Sequence, residues 1–216
     1  MKKDLVIFDL DGTLLNTLED LTNSTNFALN SFNYPKRTIS EVRNFVGNGV
    51  YKLIERAIPE GKNNPNFNQC LKIFKNHYEE NMYNKTVPYP GITNLLSELK
   101  LRGIKTAVVS NKFDLAVKGL CLKYFPSLID FSAGEDEKNG IKKKPASDMV
   151  LSVLEEFNCS KNKAIYIGDS EVDIQTAQNS GLDSISVTWG FKNRNFLIGN
   201  GAKIIIDSPD EIIKYL

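Results

Sequence analysis

The sequence contains no long apolar run, no excess of charge of one sign and few cysteine residues. No stretch approaches the ~20 consecutive apolar residues that a membrane-spanning helix requires, so we expect no membrane insertion. The 27 basic and 26 acidic residues nearly cancel, which leaves no overall electrostatic attraction to nucleic acid or to a membrane surface. Any recognition must therefore depend on local charge.

The three cysteines also exclude a disulfide scaffold and an obvious metal or redox motif. Cys70, Cys121 and Cys159 stand far apart, without the spacing of metal ligands or of a redox pair. An odd, scattered set is typical of a reducing compartment. The first apolar run, residues 5–8, meets Asp9 too early to form the apolar region of a signal peptide. These features predict a cytoplasmic protein.

Short apolar runs indicate a buried parallel sheet. The first, residues 5–8, is continuous and ends in acidic and glycine residues, which is typical of a strand covered on both faces. Similar runs occur at residues 106–109, 128–131, 164–167, 184–187 and 203–206. Helical patterns lie between them, and this alternation predicts an α/β fold with a doubly wound parallel sheet.

Residues 15–87 have a different pattern, in which apolar residues recur at helical spacing and no convincing strand interrupts them. We therefore expect a small helical cap, residues 15–87, inserted after the first strand. The α/β core is then discontinuous and consists of residues 1–14 and 88–216. Within the cap, the polar stretch 61–68 predicts an exposed loop.

Polar residues follow the carboxyl ends of several predicted strands, where open parallel sheets gather their working groups. They are Asp9, Asp11, Ser110, Asn111, Lys144, Asp169 and Asp173. Four carboxylates cannot comfortably share one crevice unless a cation offsets their repulsion. Oxygen ligands of this kind favour Mg²⁺, which often bridges to a phosphate. This combination predicts a magnesium site and a small phosphorylated substrate.

The same residue types suggest a reaction. Ser110 and Lys144 could hold the oxygens of a phosphoryl group, and the turn at Gly12 and Thr13 could add backbone donors. One carboxylate could attack phosphorus as a nucleophile. A second, two residues further on, could protonate the leaving oxygen and later activate water.

In order and type, these motifs resemble those of the haloacid-dehalogenase-like phosphatase superfamily. The resemblance rests on Asp9-Leu10-Asp11-Gly12-Thr13, Ser110-Asn111, Lys144-Pro145 and Gly168-Asp169-Ser170 with Asp173. It implies that Asp9 is the nucleophile and Asp11 the general acid/base. It also implies that Asp9, Asp169 and the Asp11 backbone carbonyl ligate Mg²⁺ with Asp173 close by. The implied phosphate ligands are Ser110 and Lys144.

Two positions depart from the family pattern. Asn16 stands where the family often has Asp, and Ser147 stands where the family usually has a second Pro after Lys144-Pro145. Two further lysines precede Lys144, so choosing it as the phosphate ligand depends on Pro145 alone.

The helical segment resembles the cap of the phosphoglycolate-phosphatase branch, chiefly over residues 43–50. Gly47-Asn48-Gly49 predicts a turn, and Arg43 and Asn48 are candidates for contacting a small carboxylated phosphate. The leading hypothesis is therefore hydrolysis of a phosphoglycolate-like phosphate monoester through a phospho-aspartate. A phosphosugar mutase and a broad sugar-phosphate or nucleotide phosphatase stay open. So does, from another class, a non-hydrolytic phosphate-binding or phospho-acceptor module. The oligomeric state is not predicted.

Overall fold

In the computed structural model, which describes residues 2–136 and 140–216, the chain folds into two compact units. One unit contains Met1–Leu15 and Pro88–Leu216, and the other contains Asn16–Val87. The chain therefore leaves the first unit after its first strand and later returns to complete it. The interpretation of the two units as a catalytic core and a cap stays a prediction.

The first unit is built around a parallel sheet in which the first strand is central. In chain order the strands are β1 (Leu5–Phe8), β2 (Leu15–Asn16), β3 (Val87–Pro88), β4 (Lys105–Phe113), β5 (Phe131–Glu135), β6 (Ala164–Gly168), β7 (Asp183–Val187) and β8 (Ile205–Ile206). The main sheet has the order β5-β4-β1-β6-β7-β8, and its paired strands run parallel. Because the chain first moves outward to β4 and β5 and then crosses to β6, the strand order reverses at β1. The predicted parallel α/β sheet is confirmed.

Helices account for most of the remaining chain. They are α1 (Leu18–Asn30), α2 (Ile39–Phe45), α3 (Gly49–Ala57), α4 (Phe67–Asn81), α5 (Ile92–Leu101), α6 (Asp114–Tyr124), α7 (Asp148–Glu156), α8 (Glu171–Ser180) and α9 (Arg194–Gly199). Helices α1–α4 belong to the second unit and α5–α9 to the first. None of the helices in the described part of the chain has both the length and the apolar character needed to span a bilayer.

Both faces of β1 are covered, because all four of its residues are buried and successive side chains point to opposite faces. Leu5 and Ile7 belong to an apolar cluster with Met149 and Val153 of α7 and Ala177 of α8. A continuous apolar run is therefore what a strand in this central position requires.

The strand predicted at residues 128–131 is wrong, because β5 begins only at Phe131. Ser127 adopts a left-handed conformation with φ of 61°, which turns the chain before the strand. The Asp130 carboxylate accepts a hydrogen bond from the Thr106 N–H at 2.9 Å, and the Asp130 N–H donates to the Thr106 oxygen at 2.9 Å. Local turn bonding at this position replaces regular strand pairing.

Two other strands differ from their predicted ranges by more than one residue. The last one pairs only at Ile205–Ile206 instead of over residues 203–206. Strand β4 continues past the predicted end at residue 109 to Phe113, and its register with β5 shifts between Val109 and Phe113. Such irregularities re-aim side chains at strand ends. The polar residues that follow Val109 thus belong to an irregular strand end rather than to a loop.

The prediction of an exposed loop at residues 61–68 is correct for Lys62, Asn63, Pro65 and Asn68, which are exposed, but not for the whole segment. A short 3-10 helix occupies Gly61–Asn63, and the side chain of Asn64 is buried. The Tyr34 hydroxyl donates to Asn64 Oδ1 at 3.0 Å, and Asn64 Nδ2 donates to the Pro59 carbonyl at 3.0 Å. Polar side chains are buried in this segment because they satisfy one another.

A buried carboxylate joins the beginning and the end of the helical unit. Asp20 on α1 is 1% exposed and accepts hydrogen bonds from the backbone N–H groups of Lys85, at 3.0 Å, and Thr86, at 2.8 Å. The Thr86 hydroxyl donates to the same carboxylate at 2.9 Å. Charge-assisted bonds of this kind are about twice as strong as neutral ones.

Asp20→Asn is expected to lower the free energy of unfolding by about 2 kcal/mol, because the amide loses charge-assisted acceptor bonds. Urea denaturation followed by circular dichroism measures the change. Glu19→Gln is the matched control, since Glu19 is the exposed neighbour on the same turn and should change the value by less than about 0.5 kcal/mol. Equal stability of the two variants would contradict a stabilising role for Asp20.

Candidate active site

The sheet brings the predicted site residues to the carboxyl ends of three adjacent strands. Asp9 directly follows β1, and its backbone N–H still donates to the Ile167 carbonyl of β6 at 2.9 Å. Ser110 and Asn111 lie near the end of β4, and Asp169 directly follows β6. Since β1 lies between β4 and β6, these residues meet where the strand order reverses.

Lys144 is the centre of a buried hydrogen-bonded network. Its ammonium donates to Asp9 Oδ1 at 2.7 Å, to Asp173 Oδ1 at 2.8 Å and to the Tyr166 hydroxyl at 3.1 Å. Asn111 fixes the backbone of this lysine, because its side chain accepts from the Lys144 N–H at 2.7 Å and donates to the Lys144 carbonyl at 2.9 Å. Lys144 thus lies beside Asp9, while its role as the phosphate ligand stays a prediction.

Asp173 is held from both sides. Its Oδ1 atom accepts from Lys144, and its Oδ2 atom accepts from the Ser170 N–H at 3.1 Å and the Ser170 hydroxyl at 2.6 Å. Ser170 immediately precedes α8, so the start of that helix orients the carboxylate. The Tyr166 hydroxyl adds a further bond to Oδ1 at 3.1 Å.

Asp169 is enclosed by backbone. The Phe191 N–H donates to its Oδ2 atom at 2.6 Å, and the residue is 2% exposed. A Cβ atom built at Gly12 or at Gly190 would lie closer than 3.0 Å to the Asp169 side chain. Gly12 also has a φ of +89°, which disfavours any other residue there. Two glycines are therefore required for the chain to approach this carboxylate so closely.

Three of the carboxylates form a cluster that fits a hard divalent cation. Asp9, Asp169 and Asp173 each place one oxygen within 4.8 Å of the others. Burial raises the pKa of Asp9 to about 7, against the effect of Lys144, and the nearby carboxylates contribute to the rise. Burial, together with Asp173 and Asp9, also holds the pKa of Asp169 well above its usual range. Lys144 alone does not offset the negative charge of three buried carboxylates. Their oxygen atoms are the kind of donor that a hard divalent cation prefers.

Asp11 points to a different partner. Its Oδ2 atom lies 3.1 Å from the ammonium of Lys112, whose side chain is 2% exposed. The predicted general acid/base and the predicted nucleophile are thus paired with different lysines, Asp11 with Lys112 and Asp9 with Lys144. The carboxylate of Asp11 is not one of the three that cluster.

Thr13 and Ser110 line the same strand ends. The Thr13 hydroxyl is buried and has no hydrogen-bond partner within residues 2–136 and 140–216, while the Thr13 carbonyl accepts from Trp189 Nε1 at 3.0 Å. Ser110 Oγ accepts from the Lys112 N–H at 3.3 Å. Contact of either hydroxyl with phosphate stays a prediction.

The two candidates from the helical unit lie near the start of α3. Arg43 is exposed on α2. Asn48 directly precedes α3, and its Oδ1 atom accepts from Arg56 Nη2 at 2.8 Å. Arg56 Nη1 also donates to the Phe45 carbonyl at 2.7 Å, so this arginine fixes the turn. A substrate-binding role for Arg43 and Asn48 stays a prediction.

Comparison with known families agrees with this geometry. The family model of haloacid dehalogenase-like hydrolases matches residues 6–187. The chain belongs to this family. The predicted resemblance is confirmed, and membership of a hydrolase family decides against a non-hydrolytic phosphate-binding module.

Relatives of this hydrolase match most of its length. The phosphoglycolate phosphatase of Psychrobacter arcticus is 31% identical, over 88% of this chain and 86% of the relative. The phosphoglycolate phosphatase of Aquifex aeolicus is 29% identical, over 98% of this chain and 96% of the relative. A crystal structure from Lactobacillus delbrueckii subsp. bulgaricus, whose assignment as a phosphoglycolate phosphatase is provisional, is 38% identical with a TM-score of 0.94. The match covers 100% of this chain and 98% of the chain in that crystal structure.

Sequence reasoning missed two residues of this hydrolase's site. Tyr166 lies inside the apolar run of β6, where a tyrosine indicates only core packing, yet its hydroxyl contacts Lys144 and Asp173. Lys112 follows Ser110-Asn111 in the sequence, and a lysine after a strand normally indicates a solvated charge. The register shift of β4, which no sequence pattern shows, accompanies its burial.

Gly190→Ala is expected to lower the free energy of unfolding by about 1–3 kcal/mol, because the new Cβ overlaps the Asp169 side chain and the Gly12 carbonyl. Urea denaturation measures this change. Gly199→Ala is the control, since a Cβ there meets nothing within 4 Å. If the two variants were equally stable, the crowding around Asp169 would not be real.

Proposed function

We propose that this protein is a Mg²⁺-dependent phosphatase that hydrolyses a small phosphate monoester through a phospho-aspartate, with phosphoglycolate as the leading substrate. The observation that carries the proposal is the buried contact of Asp9 with Lys144, next to Asp169 and Asp173. The relatives named phosphoglycolate phosphatase support both the reaction and the substrate.

Asp9 is the proposed nucleophile. Its Oδ1 atom is oriented by Lys144 at 2.7 Å, which holds the carboxylate in one direction at the end of β1. Attack by Asp9 forms a bond from carboxylate oxygen to phosphorus and breaks the bond from phosphorus to the ester oxygen. Asp11 gives that oxygen a proton, and then takes one from the water that hydrolyses the phospho-aspartate and releases inorganic phosphate.

The proposed Mg²⁺ ligands are the carboxylates of Asp9 and Asp169 and the backbone carbonyl of Asp11. Asp173, whose two oxygens already accept from Lys144 and Ser170, lies close enough to support the site. When bound, the metal supplies positive charge that offsets the charge of the phosphate and of the buried carboxylates. The raised pKa of Asp9 is consistent with a site completed by such a charge.

The remaining core residues bind or position the phosphoryl group in this proposal. Ser110 and Thr13 offer hydroxyls, and Lys144 offers its ammonium. Asn111, predicted as a phosphate ligand, acts by fixing the Lys144 backbone through its two hydrogen bonds to it. Removal of the Asn111 side chain is therefore expected to affect phosphate binding indirectly, by changing the position of Lys144.

Release of inorganic phosphate from phosphoglycolate tests the proposal. EDTA should abolish release and Mg²⁺ should restore it, whereas Ca²⁺ should support it poorly because its longer and looser coordination misplaces the reacting groups. Asp9→Asn should abolish release, because an amide cannot attack phosphorus. The matched control is Asp4→Asn, since Asp4 is an exposed carboxylate just before the same strand.

Three outcomes would contradict the proposal. Full activity in EDTA would contradict the metal requirement, and near-wild-type turnover of Asp9→Asn would contradict the nucleophile. Transfer of phosphate between positions of a sugar with little released to water would identify the mutase instead.

We further propose that the turn before α3 helps to select a carboxylated substrate. Asn48→Ala removes the acceptor for Arg56 and is expected to lower kcat/KM for phosphoglycolate about tenfold, but that for p-nitrophenyl phosphate less than about twofold. Steady-state kinetics on both substrates measure the difference. Asn44→Ala, at an exposed neighbouring position, is the control, and equal losses on both substrates would leave the turn with no role in selection.

A further inference from the structure

Lys112 places a positive charge inside the first unit beside Asp11. Its side chain is 2% exposed, the Asp11 side chain is 14% exposed, and 3.1 Å separates Nζ from Oδ2. Removing an ammonium from water is costly unless an anion compensates for it. The fold therefore keeps a cation at this position that needs a negative partner at all times.

Lys112 and Lys144 differ in where they lie and in which carboxylates they contact. Lys112 comes from the irregular end of β4, with its backbone N–H donating to Ser110 Oγ at 3.3 Å. Lys144 contacts Asp9 and Asp173. Each lysine thus serves a different carboxylate, and Lys112 is on the side of the proposed acid rather than of the nucleophile.

The proposed reaction places a substrate atom against Asp11. Because Asp11 gives its proton to the ester oxygen, that oxygen must come within hydrogen-bonding distance of the carboxylate that Lys112 contacts. In phosphoglycolate only one methylene carbon separates the ester oxygen from the carboxylate. The substrate carboxylate is therefore close enough to reach the ammonium of Lys112.

We infer that Lys112 forms a second anion subsite, which takes a carboxylate one carbon away from the ester oxygen of the substrate. The inference rests on the proposed function and deepens it by naming the residue that recognises the substrate carboxylate. The substrate carboxylate joins Asp11 beside the Lys112 ammonium, so the buried cation has a negative neighbour both before and during binding. The first unit, which contains the main sheet, then contributes to selection for carboxylated phosphates.

A role of Lys112 only as the counter-ion of Asp11 makes a different prediction. A counter-ion would affect every alkyl phosphate equally, because each needs the same proton from Asp11. An anion subsite affects only substrates and ligands that carry the carboxylate. The two roles are separated by comparing ligands that differ in that group alone.

Calorimetric binding in the presence of Mg²⁺ provides the first test. The ligands are 3-phosphonopropionate, a non-hydrolysable analogue of phosphoglycolate, and propylphosphonate, which carries a methyl group in place of the carboxylate. Wild-type protein should bind the first ten- to a hundredfold more tightly. Lys112→Met should lose this preference, and Lys112→Arg should keep part of it.

Lys3→Met is the matched control, because Lys3 is also a buried lysine and pairs with Asp183 at 2.8 Å. It should retain the full preference for the carboxylated ligand. Equal binding of the two ligands by wild-type protein would overturn the inference, and so would a preference that survives in Lys112→Met. Both readouts are independent of turnover.

Kinetics distinguish failure of the inference from failure of the proposed function. Lys112→Met should lower kcat/KM for phosphoglycolate at least tenfold more than it lowers kcat/KM for ethyl phosphate. If kcat/KM fell equally for both substrates, the subsite would be wrong and the phosphatase would stand. If wild-type protein released no phosphate from either substrate, the proposed function would be wrong, and the binding preference would still decide the subsite.

Discussion

The contact of the Lys144 ammonium with the carboxylates of Asp9 and Asp173 is the interaction on which this site depends. Asp9 directly follows β1 and Asp173 lies in the first turn of α8, and the two carboxylates would repel each other without a cation between them. Leaving them buried without that cation would cost several kcal/mol. Asn111 fixes the lysine backbone and Tyr166 contacts its ammonium, so the position of the charge is set by the surrounding fold.

The four acidic residues of the site have the same chemistry but different surroundings, and these surroundings support the different roles proposed for them. Asp9 meets Lys144, Asp11 meets Lys112, and Asp169 meets the Phe191 N–H. Burial raises the pKa of both Asp9 and Asp169, which makes them the members of the group that gain most from a bound cation. Environment therefore distinguishes the proposed nucleophile, acid and metal ligand among residues that look alike in the sequence.

Sequence patterns predict those features that depend on local chemistry or on a strand being buried on both faces. The strand β1 was predictable because a strand covered on both faces must be apolar throughout, and the carboxylates after it mark a strand end. The segment at residues 128–131 is also apolar, but turn bonds to Thr106 determine its conformation. Burial of Lys112 was not predictable, because it accompanies a register shift between β4 and β5. Tertiary contacts of this kind leave no local pattern.

The two proposed sources of selectivity differ in what they require of the protein. Asn48 already accepts from Arg56, which also donates to the Phe45 carbonyl, so this turn is satisfied without a ligand. A substrate would have to add contacts to it. Lys112 is a buried cation whose partner Asp11 must face the ester oxygen for the proposed reaction to proceed. A substrate carboxylate can join Asp11 beside the ammonium, which has a negative neighbour both with and without the substrate. The Lys112 subsite of the first unit is therefore physically better suited than the turn before α3 to favour an anionic leaving group.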